Sequence, residues 1–299
     1  MSSVLPAGTR MAEHAASSRP WLIALAGFAA MYLPVYLWAA ETIWQSDEHA
    51  HGAIVLVVVA WLFWTLRKEI ITADSSPSIP LGGVIFGLGI LVYTLGRVFS
   101  ISIFELGSQI FVISGVLLLL KGPVGVKIAW FPIFYLLFLI PLPGILVDAI
   151  TGPLKQWIST IVVSILYAVG YPIAQSGVVI SIGQYQLLVA DACSGLHSMF
   201  SLAALGTLFM YLMKRPSKLH NSLMLASILP IAFVANICRV IILVLITYHF
   251  GDEAGQGFLH GTAGFVLMMV ALLIFFALDS VLNFALPMAF SSNRAKALP

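Results

Sequence analysis

Apolar runs of bilayer length, separated by only short polar breaks, constrain this chain more than any other feature. They lie at about 21-40, 52-66, 80-97, 101-120, 128-142, 195-213, 222-248 and 259-284, each near the ~20 residues that one helical crossing needs. The composition agrees, with 61% hydrophobic and 9% charged residues against about 45–50% apolar and about 25% charged in soluble domains. The expectation is an all-α integral membrane protein of about eight transmembrane helices. The first run, Trp21 to Ala40, is longer than a signal-peptide core and ends in AAETIWQ, a poor cleavage site, so it reads as a retained helix. His51 and Arg67 bracket the short second run, and Trp61 and Trp64 mark an interface.

Charge sets the orientation. With the stretch 144-172 kept from crossing, Arg10, Arg19, Arg67, Lys68, Lys121, Lys127, Lys214, Arg215, Lys218, Arg294 and Lys296 share one side. Only Arg97 and Lys155 fall opposite, and Arg239 lies within a span. The crowded side is then the cytoplasm. Residues 1-20 and 291-299 become cytoplasmic tails, 21-290 the polytopic domain, and 144-194 an extracytoplasmic interfacial or re-entrant cap segment. Its end, SGVVISIGQYQLLVADACSG, reads as a β-hairpin: Val178, Val179, Ile180 and Ile182 precede a Gly183-Gln184 turn, and Tyr185, Leu187 and Val189 follow. A sheet with open edges cannot face lipid, so it is expected to cap the helix ends outside the bilayer. Gly83 and Gly87, spaced as small-xxx-small, predict close helix packing.

Several partners are excluded. A formal charge of +2 without a basic stripe gives nucleic acid nothing to hold. Cys193 and Cys238 match neither a disulfide framework nor a zinc spacing. Asp47, Glu48, His49 and His51 crowd the first outer loop, but such mixed loops are more often solvated and the set fits known ligand patterns poorly. No cofactor and no metal are expected.

Three residues remain that could carry chemistry, all toward the outer face. Arg239, in VANICRVIILVLITYHF, lies nine residues before Tyr248, about 13 Å along a helix axis. An arginine within a span costs at least ~2.5–3.5 kcal/mol and signals function by default. Its partner is an anionic substrate group or developing oxyanion or, structurally, Asp191, Glu105 or backbone carbonyls. Cys193, in VADACSGLHSMF, precedes a helix start where Ser194 can cap, and both the helix dipole and a nearby arginine favour its thiolate. His260, in GQGFLHGTAGF, is placed to take a thiol proton and return it to a leaving amine. His197, four residues after Cys193 and on the same helix face, is the rival base, and His249 sits at the outer end of the Arg239 helix. Cys238 reads as packing, while Asn236, Asp191, Ser194 and His197 are supporting candidates.

DACSGLHSMF, NICR and HGTAGF, in that order, resemble the three signature blocks of the exosortase family, and DEHAHG before the second span also follows its pattern. The LHSMF form of the first block is most similar to the exosortase B type. The resemblance implies a cysteine protease or transpeptidase of the bacterial inner membrane, facing the periplasm. It also implies substrates with C-terminal sorting signals of the PEP-CTERM kind and a link to exopolysaccharide production. Carried over by motif, Cys193 is the nucleophile, Arg239 the stabiliser of substrate or oxyanion, and His260 the acid/base. His197 departs from the arginine that many members carry there.

The chief rival is a transporter or flippase holding an anionic lipid or sugar on Arg239, for which no inverted repeat with matched broken helices is present. A polysaccharide polymerase would need a longer, more polar outer loop. A non-catalytic scaffold leaves the intramembrane arginine unexplained.

Overall fold

The computed structural model describes residues 7–45, 51–141, 144–188, 195–214, 217–261 and 263–296. Two units divide the chain, Met1–Pro141 and Leu142–Pro299. Among the described residues, four helices are long and apolar enough to cross a bilayer: Arg19–Gln45, Ile79–Phe99, Ser102–Ile128 and Lys218–Phe250. Shorter apolar helices occupy Trp130–Leu139, Phe200–Met213 and Met268–Phe284.

The N-terminal unit holds α1 (Ala7–Glu41), α2 (His51–Thr72), α3 (Ile79–Phe99), α4 (Ser102–Ile128) and α5 (Trp130–Tyr135), the last extended by a 3-10 turn at Leu136–Leu139. Its frame is the α3–α4 hairpin, closed by a left-handed Ser100 whose neighbour Ile101 donates its N–H to the Gly96 carbonyl. Gly82, Gly89 and Gly96 of α3 are buried. A Cβ there would stand 2.8, 2.8 and 2.6 Å from the backbone nitrogens of Leu119, Val112 and Glu105 of α4. Both sets recur every seven residues, so the two backbones touch along a seam that only glycine permits. The expectation for Gly83 and Gly87 is corrected: a Cβ at either meets nothing within 4 Å. The break read between 120 and 128 is real, because Gly122 leaves the helical region (φ 59°, ψ −160°) and Pro123 follows it inside α4. Beyond it, Ala129 and Ile133 donate to Gly125 and Ala129. Helical chain thus resumes over 123–139, about 25 Å at ~1.5 Å per residue.

Several polar side chains inside this unit are paired, although Gln109 Nε2 finds no hydrogen-bond partner among the described residues. Tyr32 Oη lies 2.7 Å from Ser108 Oγ, Tyr36 donates to the Gln109 Oε1, and Tyr93 donates to the Met31 carbonyl at 2.8 Å.

The C-terminal unit holds α6 (Gly144–Ala168), β1 (Ile173–Ser176), β2 (Val179–Ile182), β3 (Tyr185–Leu188), α7 (Gly195–Met213), α8 (Lys218–Phe250), α9 (Asp252–Gly261) and α10 (Ala263–Lys296). The stretch read as an interfacial or re-entrant element is largely one unbroken helix, α6, with Pro153 inside it. The expected hairpin is present as β2 and β3, turning at Gly183 (φ 57°). It gains a third antiparallel strand, β1, joined through Gly177 (φ 62°), so the sheet runs β1-β2-β3. Ile180 and Ile182 of its apolar face are fully buried, with Ile173 and Leu187 beside them. They join Ile158, Val162 and Leu166 of α6 and Val240, Leu243 and Val244 of α8 in one core. The sheet therefore lies along the flank of α8, where its alternating side chains find apolar partners.

Candidate functional site

Arg239 lies on α8, a 33-residue helix that begins where Ser217 Oγ accepts the His220 N–H. One face of α8 is buried throughout, including Ala232, Ala235, Asn236, Arg239, Val240, Leu243 and Thr247. The arginine is 6% exposed and Asn236, one turn nearer the start of the helix, is 1% exposed. The guanidinium is thus turned into protein and not toward lipid, the arrangement expected of an intramembrane charge that serves a purpose.

The helices around α8 meet it in measurable registers. A Cβ on Gly206 of α7 would stand 3.1 Å from Ile228 and 2.8 Å from Phe275 of α10. Eleven residues beyond Ile228 is Arg239, and eleven before Gly206 is Gly195, the first residue of α7. At the other end His220 Nε2 and Asp279 Oδ1 are 2.8 Å apart. Nineteen residues beyond His220 is Arg239, and nineteen before Asp279 is His260, the penultimate residue of α9. Counting instead from Ile228 and Phe275 leads to Gly264, near the start of α10. Counted within these helices, which rise at ~1.5 Å per residue, Arg239 is level with Gly195 at the start of α7 and with Gly264 in the first turn of α10; His260 lies just before that turn, at the end of α9. His197 stands in the first turn of α7.

The turn into α9 is equally tight. Gly251 adopts φ 91°, and Gly255 approaches Thr247 so closely that a Cβ would collide with its Oγ1. Anything larger than glycine at 255 must push the Thr247 hydroxyl aside.

Cys193, Ser194 and Asp191 lie outside the described residues, as do Asp47, Glu48 and His49. Other expectations are resolved. Glu105, considered as a partner for Arg239, pairs within the N-terminal unit with Arg97 at 3.6 Å. His249 is exposed and lies 3.3 Å from Tyr171 Oη in a cluster with Tyr248, off the buried face that holds Arg239. Cys238 is a half-buried free thiol. Among the described residues no group of three or more His, Cys, Asp or Glu side chains could hold a metal ion.

The buried His220–Asp279 pair was missed in the sequence. Asp279 carried a usable signal, a carboxylate in an otherwise apolar run, which is the signal that singled out Arg239. Both side chains are nearly inaccessible, at 4% and 6%.

Comparison with known proteins adds one finding. The family model described as transmembrane exosortase matches residues 43–277, a range that takes in α7, α8, α9 and the first part of α10. No curated protein and no solved structure matches the chain.

Proposed function

Because the chain belongs to the transmembrane exosortase family, a family of membrane transpeptidases and proteases, we propose that it is a cysteine enzyme that cuts C-terminal sorting signals of the PEP-CTERM kind. It would act at the outer face of the bacterial inner membrane. The observation that carries this reading is a buried Arg239 level with the start of α7, two residues after Cys193, and with the first turn of α10, just after His260. The similarity of its LHSMF block to the exosortase B type supports that subtype, and the family resemblance supports substrates exported alongside exopolysaccharide.

In this mechanism the substrate's apolar helix enters from the lipid, its basic tail stays in the cytoplasm, and its scissile peptide stands at the level of Arg239. His260 takes the proton from the Cys193 thiol, and the thiolate attacks the carbonyl carbon. Negative charge develops on the carbonyl oxygen, where the guanidinium of Arg239 faces it in a water-poor setting that magnifies the attraction. Collapse of the tetrahedral species breaks the C–N bond, His260 delivers the proton to the leaving amine, and a thioester remains on Cys193. Water or an acceptor amine then releases the product.

The test is a tagged reporter ending in a PEP-type signal, co-expressed with wild type, Cys193→Ser, Arg239→Ala, His260→Ala and His197→Ala and followed by gel and mass. Processing that needs Cys193, Arg239 and His260 but survives loss of His197 is the expected outcome. Processing by Cys193→Ser, or none by a folded wild type across several signals, would overturn it and favour a binding or transport role for Arg239.

A further inference from the structure

Asn236 is the most exceptional buried polar group near the site. It is 1% exposed, and neither Oδ1 nor Nδ2 has a hydrogen-bond partner among the described residues. Nine in ten or more buried polar groups are satisfied, so a carboxamide with both ends open calls for an explanation. It shares the buried face of α8 with Arg239, three residues nearer the start of the helix, about 4.5 Å along the axis.

The group that would satisfy a carboxamide must offer a donor and an acceptor together. A membrane helix offers them in one place, because its first four N–H groups have no partner within the helix and the chain just before it presents free carbonyls. Between its two ends the backbone of a membrane helix is already bonded to itself, and the other end, with its free carbonyls, lies at the cytoplasmic side. Asparagine is among the best residues for closing a helix N-terminus, through its side-chain oxygen to an N–H of the first turn. This deduction rests on the function proposed above, in which the substrate passes Arg239 with its scissile peptide and then descends as a helix. The next level down is that of Asn236.

We propose that Asn236 is a substrate-binding residue that caps the N-terminus of the substrate's membrane helix from outside. Its Oδ1 accepts an N–H of the first helical turn, and its Nδ2 donates to a carbonyl of the extended chain above. The contact fixes where the substrate stops being helical, and so which peptide bond comes level with Arg239. About 4.5 Å of axial separation corresponds to one or two extended residues between the scissile bond and the helix start, at ~3.3 Å per residue. Signals that carry their own capping residue need Asn236 less.

The experiment pairs two reporters with two enzyme variants. The reporters differ only at the residue before the apolar helix, Ser in one and Ala in the other. Each is co-expressed with wild type, Asn236→Leu, Asn236→Ala and Cys193→Ser, and purified variants are melted in detergent. Asn236→Leu should process the Ala reporter about tenfold more slowly and the Ser reporter less than about threefold more slowly, the loss of one or two hydrogen bonds. Its melting temperature should equal or exceed that of wild type, since an apolar side chain replaces two unsatisfied atoms. Asn236→Ala should show the same reporter preference, so that poor accumulation of one variant does not decide the matter. Equal loss on both reporters, or a lowered melting temperature for both variants, would make Asn236 a packing residue. If wild type cuts neither reporter, the protease reading itself fails. If wild type cuts and Cys193→Ser does not, that reading stands and only the role of Asn236 is at stake.

Discussion

The two ends of α8 bury polar groups in opposite ways. Near its start, His220 and Asp279 meet at 2.8 Å and are sealed by protein. Toward its far end, Asn236 and Thr247 are as deeply buried, yet Asn236 Oδ1 and Nδ2 and Thr247 Oγ1 find no hydrogen-bond partner among the described residues. A closed pair needs nothing further and serves to hold α8 against α10. An open group costs free energy for as long as it stays open, so a third component that fills it gains affinity. Burial alone therefore does not distinguish a brace from a binding site; an unsatisfied buried group is needed as well, and of the two open groups Asn236 is the one that stands beside Arg239.

That contrast can be broken experimentally, beginning with the largest effect. Arg239→Ala should lower reporter processing by about 10²–10³-fold, the scale of losing one preorganised oxyanion donor, while accumulation in the membrane stays near wild type. A processing rate within threefold of wild type would remove Arg239 from the chemistry. At the closed end, Asp279→Ala strands His220 and should cost about 1–3 kcal/mol of stability, read as a lower melting temperature with processing per folded molecule largely kept. Replacing both partners, His220→Leu with Asp279→Leu, should recover most of that loss, because two apolar side chains leave nothing unsatisfied. A double variant no better than the single one would show the pair to be more than a brace. The smallest effect is expected of Thr247→Val, which deletes an unpaired hydroxyl at constant shape and should stabilise by up to about 1 kcal/mol with unchanged processing. A clear fall in processing would bring Thr247 into the site.

How far the sequence foretold these features depends on the length of chain that writes each one. Spans such as 222-248 were legible because some twenty apolar residues vote together, and the break between 120 and 128 was legible as an interruption of two apolar runs, though the sequence reading did not single out Gly122 and Pro123, where the structure puts it. The β2–β3 hairpin showed through its alternation around Gly183. Strand β1 did not, because IAQS offers one strong β-former followed by residues at home in any loop. The helix seam was misread because attention to a four-residue spacing, Gly83 and Gly87, hid the seven-residue one one position away. Arg239 announced itself by charge within a span, and charge counting gives the expectation that it shares a side with Cys193 and His260. The register that makes Arg239 level with Gly195 and Gly264 is written in contacts across sequence distances of 22 to 69 residues, and no local pattern encodes that.

The glycine seam between α3 and α4 has a consequence for how this protein meets different membranes. Where the main chains come this close, the glycines of α3 put no side chain of their own into the seam, and the α4 side chains at 105, 112 and 119 pack there. Val84, Leu88, Leu91 and Val98 on the outer faces of α3 are exposed and can be exchanged for other apolar residues as the lipid environment changes. The hairpin thereby acts as a beam of fixed gauge with an interchangeable coat: evolution can adjust the coat to a thicker or thinner bilayer, but a single methyl group added to the seam forces the two rails apart.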